Sequence, residues 1–160
     1  MTARWLDGKA LAQARRHALS DRVQRLQTRG ITPHLGVILP TADEAAAAYF
    51  RAKQRIAEKI GLAVTAARMD APTTADLVEQ VKRWGRDPEI SGILIEAPLP
   101  EGIDMGAVRD ALPASKDVDG AGTESLGRLL SGEASYAPAT AAAARALAPV
   151  SYTHLRAHET

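Results

Sequence analysis

No cysteine occurs in the 160 residues, which removes a disulfide framework, a thiolate metal site and a cysteine nucleophile together. Nor is there a long apolar run. The start, MTARWLDGKALAQARRHAL, lacks the hydrophobic centre of a signal peptide, and no stretch approaches the length of a membrane span. An excess of one charge is missing too: 20 Lys+Arg stand against 19 Asp+Glu, for a formal net charge of +1. Composition therefore makes no electrostatic case for a nucleic-acid or membrane partner, and none is expected. G-x-G-x-x-G, the glycine-rich loop that cradles a pyrophosphate, is also absent. These absences leave the expectation of a soluble, cytoplasmic protein of one domain, long enough to bury roughly two-thirds of its unfolded surface.

What is present is alternation. From Gly8 to Arg29 there is no proline and no internal glycine, and Leu11, Ala14, Ala18, Leu19, Val23 and Leu26 recur at helical spacing before Gly30. His17 within that helix reads as solvated or structural. HLGVIL (34–39) is short, apolar and β-branched, as a buried strand should be, and Pro40 ends it. TADE then supplies an N-cap and first-turn acids for a helix from about Glu44 to Ile60, stopped by Gly61. LAVTAARM (62–69) predicts a second strand, and PTTADLVEQVKRWGRD a Thr-capped helix with Leu77, Val81 and Trp84 on one face. SGILIEA is the third strand. A further helical segment, about Met105 to Leu112, precedes the loop SKDVDGAG (115–122), and 139–148 is alanine-rich and helical. This β-α-β-α-β order predicts an α/β domain in three layers, a parallel sheet covered by helices on both faces.

Glu96 is the awkward residue, a carboxylate closing the apolar run Ile93-Leu94-Ile95 before Ala97-Pro98-Leu99-Pro100. Unpaired in such a strand it would be costly. Either it points into water at the strand's end or a cation meets it. Tyr49 and Lys53 are four apart on the second helix, hence on one face, with Cβ atoms about 6 Å apart. A lysine beside a phenol can serve proton transfer; an exposed helix face is the plain alternative. Y-x-x-x-K also pairs the catalytic residues of short-chain dehydrogenases, but those enzymes need a glycine-rich turn after the first strand. Here that turn is LPTADEAAA.

AYFRAK, GILIEAPLPEGI and ASKDVDGAG, in that order and spacing, together with the start WLDGKALA, resemble the N-terminal catalytic domain of bifunctional methylenetetrahydrofolate dehydrogenase/methenyltetrahydrofolate cyclohydrolases. The resemblance runs from about residue 5 to residue 149. It implies folate-dependent one-carbon metabolism, with a tetrahydrofolate derivative as small-molecule substrate. The intact parent would be a homodimer that oxidises 5,10-methylenetetrahydrofolate to 5,10-methenyltetrahydrofolate with NADP, with hydrolysis to 10-formyltetrahydrofolate as its second activity. NADP would sit on a Rossmann-type domain beyond residue 149, so no cofactor-binding residue and no metal ligand is assigned here, and the chain alone is expected not to transfer hydride. By position, Lys53 matches the lysine essential for cyclohydrolysis, Tyr49 the tyrosine that packs on the pterin, and Asp119 the carboxylate that takes its amino-pyrimidine edge. Pro98, Leu99 and Pro100 match a substrate wall, with turn rigidity as their alternative role. Asp117 reads as a cap of its own turn.

Three positions depart from the family pattern. Glu96 replaces a glutamine that orients the catalytic lysine, and its charge is expected to favour the ammonium over the neutral amine, weakening cyclohydrolysis while sparing dehydrogenation. Ala46 replaces a serine, and PATA (138–141) replaces P-C-T-P. These changes motivate a second reading, a non-catalytic folate-binding or scaffold domain of a divergent paralogue. The last residues, VSYTHLRAHET (150–160), resemble a translated sequencing-library adapter. Residues 1–149 are therefore expected to be the folate-binding catalytic domain, with a linker helix at about 138–149, and His154 and His158 carry no site.

Overall fold

A computed structural model describes residues 7–41 and 43–151. His34–Leu39 (β1), Ala63–Arg68 (β2) and Gly92–Ile95 (β3) form a parallel sheet of order β2-β1-β3. Gly8–Gln27 (α1), Glu44–Lys59 (α2), Thr74–Arg86 (α3), Met105–Ala111 (α4), Thr123–Leu130 (α5) and Ala139–Ser151 (α6) complete the described elements. The expected β-α-β-α-β order and the three strands are met, and α5 is an addition to the expected helices. Trp5 and Leu6 of the WLDGKALA start lie outside the described residues, as do 152–160 of the adapter-like tail, including His154 and His158.

Alternation along the strands sends side chains to two different layers. Val37 and Leu39 of β1 pack with Phe50 of α2, with Leu35, Val64 and Leu94 beside them. Ile38 and Ile93 point the other way, into a cluster with Leu77, Val81 and Trp84 of α3 and with Val108 and Leu112 around α4. The face expected of α3 is thus its core face: Leu77 and Val81 are fully buried. Its start is fixed by a reciprocal capping box, Thr73 taking the Asp76 N–H and Asp76 taking the Thr73 N–H. Gly36 lets Trp84 lie against the sheet, because a Cβ there would stand 2.7 Å from Trp84 Cε3. Lys116 holds the far end of α3, its ammonium donating to the carbonyls of Trp84 and Asp87 at 3.0 and 2.6 Å.

α1 has the expected length and an incomplete burial. Of its apolar positions only Val23 is buried, and Leu19 is 42% exposed. Its C-terminal end is tied to the end of α2 through Gln27, whose amide donates to the Gly61 carbonyl.

The connections make one end of the sheet special. β1 leads into α2 on one face, whereas β3 leads into α4 beside α3 on the other. β1 and β3 are neighbours, so a crevice opens between their carboxyl ends where the two exits diverge.

Candidate functional site

Glu96 sits at that crevice. Its N–H donates to the Ile38 carbonyl at 2.9 Å, one rung beyond β3, so the period of two places its side chain on the same side as Leu94, facing α2. The residue is 8% exposed. Of the two readings open for this acid, the geometry selects the cation: Lys53 Nζ donates to Oε1 at 2.8 Å and to Oε2 at 2.9 Å. The same ammonium lies 4.4 Å from the centroid of the Tyr49 ring. Tyr49 itself is 62% exposed. Two of the ammonium's three donors are therefore held by one carboxylate in a bidentate ion pair.

Across the strand ends lies a cavity of about 180 Å³, lined by Ile95, Glu96, Leu99, Met105, Arg109 and Asp119 among others. Glu96 also borders a smaller cavity of about 70 Å³ on the α2 side, with Phe50, Lys53 and Leu94. It is the residue common to the two. Of the three residues in the expected substrate wall, Leu99 lines the larger cavity, while Pro98 is exposed and Pro100 half-buried outside its lining.

The loop after α4 brings the acids. Ile93 N–H donates to the Lys116 carbonyl at 2.7 Å, fastening the loop alongside β3. Asp117 is fully buried and caps the turn, as its sequence position suggests: its carboxylate accepts from the N–H groups of Ala121 at 3.2 Å and Gly122 at 2.8 Å. These N–H groups belong to the Gly-Ala-Gly turn (120–122) that precedes α5. Asp117 engages both, so these two N–H groups are not open to a dinucleotide's pyrophosphate. Asp119 differs from its neighbour. Among the described residues its carboxylate has no hydrogen-bond donor, and burial pushes its carboxyl up from the ordinary value; Asp117 adds to this, Lys53 opposes it and Glu96 adds again. Asp119 is half-buried in the lining of the larger cavity. The loop is held from behind, with Ala139 N–H on the Asp119 carbonyl at 3.1 Å and Gly120, at φ +63°, against the Ala137–Pro138 peptide.

Lys53 thus contacts both Tyr49 and Glu96, and Glu96, Leu99 and Asp119 share a cavity. Arg109 and Met105, on the wall formed by α4, are the site neighbours that sequence reasoning did not single out. No group of three or more potential metal-ligating acids or histidines occurs among the described residues.

A family model described as the tetrahydrofolate dehydrogenase/cyclohydrolase catalytic domain matches residues 6–119. The bifunctional protein FolD of Parafrankia sp. is 42% identical over 140 residues, covering 88% of this chain and 50% of the relative. Among solved structures, the bifunctional FolD methylenetetrahydrofolate dehydrogenase/cyclohydrolase of Campylobacter jejuni superposes with a TM-score of 0.88 at 28% identity, over 93% of this chain and 54% of that one. The methylenetetrahydrofolate dehydrogenase-cyclohydrolase of Trypanosoma brucei, complexed with NADP cofactor and inhibitor, gives 0.83 at 27% identity over 94% and 52%. The chain spans about half the length of the curated relatives it matches.

Proposed function

Since the chain belongs to the tetrahydrofolate dehydrogenase/cyclohydrolase catalytic-domain family, we propose that its cleft binds the pterin of a reduced folate and forms the one-carbon half of such an enzyme. In this reading Tyr49 stacks on the pterin, Asp119 accepts two N–H donors from the amino-pyrimidine edge, and Lys53 faces the one-carbon bridge. Leu99 forms part of the wall, with Pro98 and Pro100 stiffening its turn. The full activity is oxidation of 5,10-methylenetetrahydrofolate with NADP, hydride acceptance being the chemistry that NADP supplies when bound. Asp117 engages the N–H groups of Ala121 and Gly122, so no NADP-holding role is assigned to that turn.

The observation that carries the reading is the bidentate pair of Lys53 with Glu96, beneath an exposed Tyr49 and beside the cavity wall of Asp119. It also divides the two activities. Cyclohydrolysis needs a base for water, and an ammonium with two donors engaged by a carboxylate is a poor one. Loss of hydride creates a cationic methenyl group. A net-neutral Lys–Glu pair does not repel that cation as an isolated ammonium would, so the oxidation half is tolerated. We therefore assign the chain to a protein biased toward dehydrogenation.

Calorimetric titration with tetrahydrofolate tests the binding reading. Saturable binding that Tyr49→Ala and Asp119→Asn each weaken at least tenfold is expected; binding indifferent to both substitutions overturns it.

A further inference from the structure

Four charged side chains line the larger cavity, and two of them are already engaged. Glu96 is held by Lys53, and Asp117 by the N–H groups of Ala121 and Gly122. The other two, Asp119 and Arg109, have no side-chain hydrogen bond or ion pair among the described residues. One is an anion on the loop wall, the other the sole cation among the described lining residues, on α4. Arg109 is exposed at the rim, a position in which its aliphatic stem can cover apolar wall while its guanidinium stays in water. Apolar side chains, Ile95, Leu99 and Met105 among them, line the same cavity. Arginine in the last turn of α4 also complements the helix dipole, but that role requires no cavity.

A ligand that satisfies both groups has N–H donors at one end, a carboxylate at the other and an apolar body between. On the folate reading above, on which this inference rests, that description fits the amino-pyrimidine edge, the p-aminobenzoyl ring and the glutamyl tail. We propose that Arg109 is an anion subsite that takes a carboxylate of the folate's glutamyl tail, and so selects glutamylated over glutamate-free pterins.

The test titrates the chain, Arg109→Ala and Arg109→Lys with tetrahydrofolate and with tetrahydropteroate, which lacks the glutamate. The unsubstituted chain is expected to prefer tetrahydrofolate about fivefold at low salt, the upper range of an exposed charge pair. Arg109→Ala brings the ratio of the two dissociation constants close to one, and Arg109→Lys keeps most of the preference. In about 1 M salt, where the screening length is about 3 Å, the preference contracts in the unsubstituted chain as well. A ratio unchanged by Arg109→Ala overturns the subsite. If the chain binds both ligands equally, the folate reading stands and the Arg109 assignment fails. If it binds neither, the folate reading fails and the subsite with it.

Discussion

Lys53→Met separates the charge of the Lys53–Glu96 pair from its packing. The substitution keeps an unbranched chain but leaves Glu96, with a side chain only 10% exposed, facing no cation. Removing one partner of a fully buried pair costs about 3–5 kcal/mol, because the other charge remains desolvated. Lys53's side chain is 39% exposed, so water screens the site and the expected cost falls to about 2 kcal/mol. Glu96→Gln behaves differently. Its amide carbonyl can still accept from the ammonium and no buried charge remains, so about 1 kcal/mol is expected. Combined, the two substitutions should destabilise by less than the sum of their separate effects. Urea unfolding at pH 7 reads this order from the midpoints at constant slope. If Lys53→Met is no more destabilising than Glu96→Gln, Glu96 does not depend on Lys53 and the argument from the pair fails.

Asp119 should show opposite signs in stability and binding. Its folded-state carboxyl lies above the ordinary value of 3.8, so the folded protein holds that proton more tightly and stability falls as pH rises from about 3.8 through the raised value. Asp119→Asn is therefore expected to raise the thermal midpoint at pH 7, to lose that advantage below pH 3.8, and to weaken folate binding at least about tenfold. A lower midpoint at pH 7 with affinity retained contradicts this assignment. Gly120→Ala places a Cβ 2.6 Å from the Ala137 carbonyl carbon at φ +63°, a left-handed conformation costing about 1–2 kcal/mol before the clash is counted. Amide exchange should show the Ala139 N–H, which donates to the Asp119 carbonyl, losing protection; unchanged protection would mean that the loop is not held from that side.

What could be read from the sequence was local. The Thr cap of α3, an N-cap within TADE before α2 and the short apolar run HLGVIL are signals spanning a few residues, and each appears as expected. Glu96 also announced itself, because a carboxylate closing Ile-Leu-Ile must find either water or a cation. Choosing between them required the sheet order, which brings a residue 43 positions away to 2.8 Å. α5 carries a weak local signal: Gly122 offers no side-chain cap and the helix is only eight residues long. Lys116 looked like part of a charged loop, yet its partners are carbonyls at the end of α3. Arg109 carried only the signal of a basic residue near a helix end. Its place at the cavity rim follows from how α4 is set against β3. The apolar spacing of α1 was legible, but its burial was not, since periodicity identifies a stripe without supplying a neighbour to cover it.

The measurement that bears most directly on the central claim is hydrolysis of 5,10-methenyltetrahydrofolate by the chain and by Glu96→Gln, followed spectrophotometrically at pH 7 against the uncatalysed rate. This half-reaction needs no nicotinamide cofactor. If Glu96 holds Lys53 as an ammonium unfit to activate water, Glu96→Gln should hydrolyse at least about tenfold faster than the unsubstituted chain, within the range a positioned general base contributes. An equal or slower rate, with folate affinity retained, contradicts the account.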